Sequence, residues 1–259
     1  MVTSTENTAA HNLHTILSQV RDSGGRTYAA AWAEALDAPW ESLEFSRRHS
    51  EVTNLLLLTM RQIGAMPDRA RSRTERYIPG WWAAVMQPLT NWQDNGRPPA
   101  TLINQDRLDH LEAAAELISA RLGGTDAAPR GGDLSQLSGQ CREWLEILGS
   151  LDDVEITPAL RAQLISQIQH LIWLIDHADL FGGARVAQEA SSVIGSLAQA
   201  SSTLTTQPEN TSRWKKGFVA FVTACAIFNQ AATTVQDSLE VGTGLVKEIA
   251  STVEEIRGE

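Results

Sequence analysis

The sequence predicts an all-α protein, a multi-helix bundle with a helical hairpin and a long C-terminal heptad-patterned helix. Three observations predict it. Apolar residues recur at spacings of three and four along most of the 259 residues, no stretch shows strand-like alternation between hairpin turns, and helix start and stop signals punctuate the chain. A content of 42% hydrophobic and 20% charged residues is that of a folded chain with a sizeable core.

The first helix is expected over His11 to Arg21, ended by the glycines of "DSGG", and a short one follows over Tyr28 to Leu36. Pro39 then opens a long helix closed by Gly64 and Pro67. The run Leu55 to Leu58 puts apolar groups on every side of one turn, so that turn is expected to be deeply buried. "PDRARSRTER" reads as a basic loop. In "YIPGWWAAVMQPLTNW", Pro79 sits near a first helical turn, and Pro88 is expected to kink the helix. Trp81, Val85 and Trp92 then share one face and Trp82 and Met86 another, leaving neither face for water.

A helix from Asn104 to Leu122 leads to "GGTDAAPRGGD", a flexible linker and the best candidate domain boundary. Beyond it lie a helix from Leu134 to Leu148 and a helical hairpin. Thr157 as N-cap and Pro158 at the first helical position start the hairpin, and Leu160, Leu164, Ile168, Leu171, Ile175 and Ala178 form its first stripe. Gly182 and Gly183 are expected to end that helix. The returning helix carries Val186, Ala190, Val193, Leu197 and Leu204. The organisation is therefore a Trp-rich N-terminal helical domain over 1–122, a linker over 123–132, a hairpin region over 133–207 and a long helix over 213–257.

That last helix carries a heptad seam of Phe218, Phe221, Cys225, Phe228, Ala232, Val235, Leu239, Gly242, Val246, Ile249, Val253 and Ile256. The charges from Asp237 to Glu255 all lie off it. Small residues flank the seam, a pattern suited to packing in a bundle with the chain's own helices or with a second copy. The first half is apolar nearly all round, and Gly217 to Gln236 holds no charge. Such a segment would be ~30 Å long, enough to span a bilayer core, with Arg213, Trp214, Lys215 and Lys216 as the interfacial flank. Asn229 and Gln230 near its middle favour the bundle instead.

A net charge of −10 argues against general nucleic-acid binding. Arg69, Arg71, Arg73 and Arg76 form a local basic group suited to a phosphate contact. Trp81, Trp82 and Trp92 are candidates for partner binding, because eight Trp against two Tyr calls for buried or interfacial anchoring. The two cysteines, Cys141 and Cys225, make no disulfide framework. With a polar N-terminus lacking an apolar h-region, they predict a cytoplasmic protein, with the C-terminal helix as the route for any membrane association. Three lysines among 21 basic residues, with abundant alanine, suggest a high-GC bacterial source.

His170 and His177 share a helix face but lack the further ligands a metal would need, and Asp106, Asp109, His110, Glu112 and Glu116 read as a solvated surface. No catalytic residue, metal or cofactor is assigned. The favoured reading is a non-enzymatic interaction or assembly protein whose C-terminal helix self-associates or docks on another helical protein. Its rivals are a helical enzyme or toxin with a site built from scattered polar residues, His170 and His177 among them, and a regulatory RNA-binding protein using the basic loop.

Overall fold

The computed structural model describes residues 8–87, 91–96, 98–122, 134–201 and 208–229. Among these residues there are eleven helices and no strand. The chain divides into two compact units. The first is Met1–Gly123 together with Asp179–Arg185, and the second is Gly124–Ala178 with Val186–Glu259.

In the first unit, α1 (Ala9–Asp22) is the central helix, packed against α2 (Tyr28–Ala35), α3 (Leu43–Gly64), α6 (Pro99–Leu102) and α7 (Gln105–Leu122). Its Leu13, Ile16, Leu17 and Val20 are buried at the three/four spacing that makes one stripe. Thr8 caps it by accepting from the His11 amide, as Thr27 and Ser42 cap α2 and α3. Pro39 therefore does not open α3. Ser42 offers the backbone a side-chain oxygen that Pro39 lacks, and the helix starts at Leu43.

Two further expectations change here. The turn Leu55 to Leu58 is not buried all round, because only Leu55 and Leu56 face the unit and Leu57 is 44% exposed. The basic stretch is not a loop but a helix, α4 (Asp68–Glu75), with no buried residue. Asp68 and Glu75 both pair with Arg71, at 2.7 and 3.7 Å, an intrahelical pattern that supports an otherwise polar helix.

Helix α5 (Ile78–Met86) has Pro79 in its first turn and stops at Gln87, whose φ of 37° is left-handed. The next residue is Pro88, which disfavours a helical conformation before it. The expected kinked helix to Trp92 thus ends earlier, and Trp92 stands in the loop beyond. Trp81 is buried, while Trp82 (44%) and Met86 (37%) remain exposed, so one face of α5 is left for water.

The segment 179–185 joins the first unit through buried Phe181 and a buried ion pair, Arg185 to Glu51 at 2.6 Å. Asn54 adds a hydrogen bond to the same carboxylate oxygen of Glu51, at 3.2 Å. Gly182, at φ 78°, breaks the backbone of α10 (Ala178–Ser201) into two pieces, and a Cβ there would run into the Asn12 side chain.

The second unit is built around α8 (Leu134–Ser150), which packs against α9 (Pro158–Asp176) and α11 (Pro208–Asn229). Thr157 and Pro158 start α9 as their chemistry requires. Its end differs from the expectation: His177 caps the helix after Asp176, six residues before the glycine pair, and Gly183 continues helically. Leu164, Ile168, Leu171 and Leu174 make its buried stripe. The linker over 123–132 lies outside the described residues.

Candidate functional site: three side-chain constellations

Six rings meet in the first unit. Trp92 is their hub: its centroid is 5.0 Å from Tyr28, 5.2 Å from Trp40, 5.5 Å from His49 and 6.2 Å from Trp32. Phe45 closes the set against Trp40 at 4.8 Å and His49 at 5.8 Å. Such offset and edge-on pairs add to the stabilisation given by burial. The Trp92 carbonyl accepts from the Ala29 amide at 2.8 Å, so the loop that carries the ring is tied to α2.

Trp40 is presented by a second loop. Asp37 and Glu41, on either side of it, adopt positive φ of 46° and 63°. Non-glycine residues in that region cost about 1–3 kcal/mol each unless the surroundings hold them. Arg48 is one such hold: its guanidinium donates to the carbonyls of Leu36 and Asp37, at 2.7 and 3.2 Å, and pairs with Glu44 at 2.6 Å.

Two titratable groups line this cluster. The Tyr28 hydroxyl donates to the Ala84 carbonyl, and burial pushes its pKa up to about 12. Burial lowers the pKa of His49, partly offset by its hydrogen bond to Val85. Since the Val85 carbonyl only accepts, Nε2 of His49 carries the proton and donates at 3.1 Å. A neutral imidazole with one polar end satisfied is an aromatic core member. It is also a group whose charging the cluster opposes.

The arginines of the basic stretch stand on α4. Arg69 and Arg73 are exposed, Arg71 is engaged with Asp68 and Glu75, and Arg76 lies over the Tyr77 ring at 4.8 Å while donating to its hydroxyl at 2.8 Å. Tyr77 stacks in turn on His110, whose Nε2 is 3.5 Å from Asp106. In the sequence His110 and Arg76 belong to different groups. The fold brings them to the two sides of one tyrosine.

In the second unit, Phe218, Phe221, Cys225 and Phe228 are all buried in α11. Gly217 allows a close approach to α8, since a Cβ there would meet Ile147 Cδ1 at 2.8 Å and the Trp144 ring at 3.5 Å. Trp214 is 4% exposed and stands edge-on to Trp144 at 4.7 Å, so it belongs to the core rather than to a membrane interface. Arg213, Lys215 and Lys216 are exposed, and Arg213 donates to the Ser150 hydroxyl at 3.1 Å. Val235, Leu239, Val246, Ile249, Val253 and Ile256 lie outside the described residues. Among the described residues, no helix is long and apolar enough to cross a membrane.

His170 and His177 lie on either side of Trp173, at 5.9 and 4.4 Å between centroids, and Nδ1 of His177 donates to the Trp173 carbonyl at 2.8 Å. They form a ring stack along α9. Among the described residues no three His, Cys, Asp or Glu side chains gather as a metal site. Cys141 and Cys225 are buried free thiols, and burial raises the pKa of Cys141 to about 12, which removes its thiolate reactivity at neutral pH.

These features define an all-α protein of two compact units, one with an aromatic cluster of two loop-borne and four helix-borne rings and the other with a glycine-mediated helix contact. No family model matches the chain, and neither curated proteins nor solved structures give a significant match.

Proposed function

We propose that this is a non-enzymatic helical assembly protein whose C-terminal seam associates with a second copy or with another helical protein. One observation carries the reading. The buried positions of α11, Phe218, Phe221, Cys225 and Phe228, follow a three/four spacing that the sequence continues without a break to Ile256.

Length supports it further. A helical seam from Phe218 to Ile256 would extend ~58 Å, whereas α8 and α9, with 17 and 19 residues, measure ~25 and ~28 Å. Neither helix is long enough to cover the seam, and the remainder calls for apolar surface from elsewhere. Charges kept off the seam, with Val, Leu and Ile on it, suit a helical partner.

Light scattering on the full chain tests the proposal. The wild type is expected to have the mass of a multimer or of a complex with a co-purified helical protein. Val246→Asp combined with Ile249→Asp should reduce it to a single chain. A wild type with the mass of one chain excludes self-association, and a multimer indifferent to the double substitution excludes the seam as its cause.

A further inference from the structure

A groove of about 410 Å³ lies between α4 and α7 in the first unit. Its origin is local. Helix α4 packs against α3 and buries none of its own residues, and small side chains, Ala70, Ala113 and Ala114, stand where larger ones would close the gap to α7. Leu117 completes an aliphatic lining, and the exposed Arg73 and Arg76 complete a basic one. The volume falls in the range of small-molecule sites, which combine an apolar lining with a few convergent polar groups.

Among the described residues, the charges of Arg73 and Arg76 are not spent on acids. Arg71 is paired with both acids of its helix, whereas Arg73 makes no ion pair among the described residues. The contacts of Arg76 are with Tyr77, a neutral ring and hydroxyl. Two guanidinium groups beside an aliphatic groove select a ligand with an anionic head and an apolar body. The body is aliphatic rather than aromatic, since the Tyr77 ring is already covered by Arg76 and stacked on His110.

We infer that this groove binds a single-chain anionic amphiphile, its phosphate or carboxylate head on Arg73 and Arg76 and its alkyl chain along Ala70, Ala113, Ala114 and Leu117. Decyl phosphate below its micelle threshold is the probe, titrated calorimetrically into the full chain. It is expected to bind, with decanol and inorganic phosphate each far weaker because each supplies half of the contacts. Arg73→Gln should weaken binding roughly tenfold through loss of a charge-assisted contact. Ala113→Trp, at an exposed position of α7, should fill the groove and abolish it.

Arg69→Gln is the control, since Arg69 is on the same helix but does not line the groove. Equal losses from Arg69→Gln and Arg73→Gln would reduce the effect to general surface charge and overturn the site. So would undiminished binding in Ala113→Trp, or no binding of decyl phosphate to the wild type. Co-sedimentation with phosphatidic-acid vesicles distinguishes the source of the head group: Arg73-dependent pelleting without binding of free decyl phosphate would replace the groove by a membrane-surface contact.

Discussion

The two tryptophan assemblies of this molecule are built in opposite ways. In the second unit, Trp144 and Trp214 come from the middle of one helix and the first half of another, and a glycine lets the two backbones close on them. In the first unit, Trp40 and Trp92 come from loops, and the chain bends through left-handed residues to deliver Trp40. Helix geometry places the first pair without backbone cost. The second assembly is placed by hydrogen bonds that must hold strained loops, so the same residue type serves as close packing in one unit and as loop anchoring in the other.

Substitutions can break or sharpen this contrast. Trp144 is fully buried, and Trp144→Ala should cost about 3–5 kcal/mol in urea unfolding followed by circular dichroism. Trp92 is half-buried, and Trp92→Ala should cost less, about 2–3 kcal/mol, because it removes the ring but keeps the carbonyl that accepts from Ala29. Equal costs would mean that the loop-borne ring is as tightly packed as the helix-borne one.

Gly217→Val probes the close helix approach and should cost about 1–3 kcal/mol by overpacking against Ile147 and Trp144. A neutral result would show that α11 can move off α8 freely.

His49 gives the first cluster a pH dependence that Trp144 and Trp214 lack. Its folded pKa lies below the unfolded 6.5, so the unfolded chain binds the proton more readily. The associated stability is fully present above the unfolded value and is lost as pH falls through the folded one. Unfolding midpoints measured from pH 7 downward should show this loss, and His49→Phe should flatten it. The smallest effect is expected at Trp82, which belongs to neither cluster: Trp82→Ser should stay within about 0.5 kcal/mol of the wild type.

The contrast also explains what was legible in the sequence. A helix start with a strong cap could be read to the residue, as at Thr157 with Pro158. The spacing of Trp92 from Trp81 and Val85 fits a helix, and only the left-handed Gln87 before Pro88 takes it out. Periodicity says nothing of a ring carried by a loop. The basic stretch reads as a loop because its helix buries nothing, so the usual apolar stripe is missing; the acids at Asp68 and Glu75 are the available signal. The pairing of Arg76 with His110 through Tyr77 depends on two helices meeting, which no local pattern encodes.

The ion pair of Glu51 with Arg185 sets an order on synthesis. Arg185 is added to the growing chain 134 positions after Glu51. At ribosomal speeds of about 5–20 residues per second, the interval is roughly 7–27 seconds. During it, a nascent first unit lacks the Arg185 guanidinium and must either leave the Glu51 carboxylate wet or bury it without that ion pair. The N-terminal half therefore cannot reach its final core on the ribosome before the codon for Arg185 has been read.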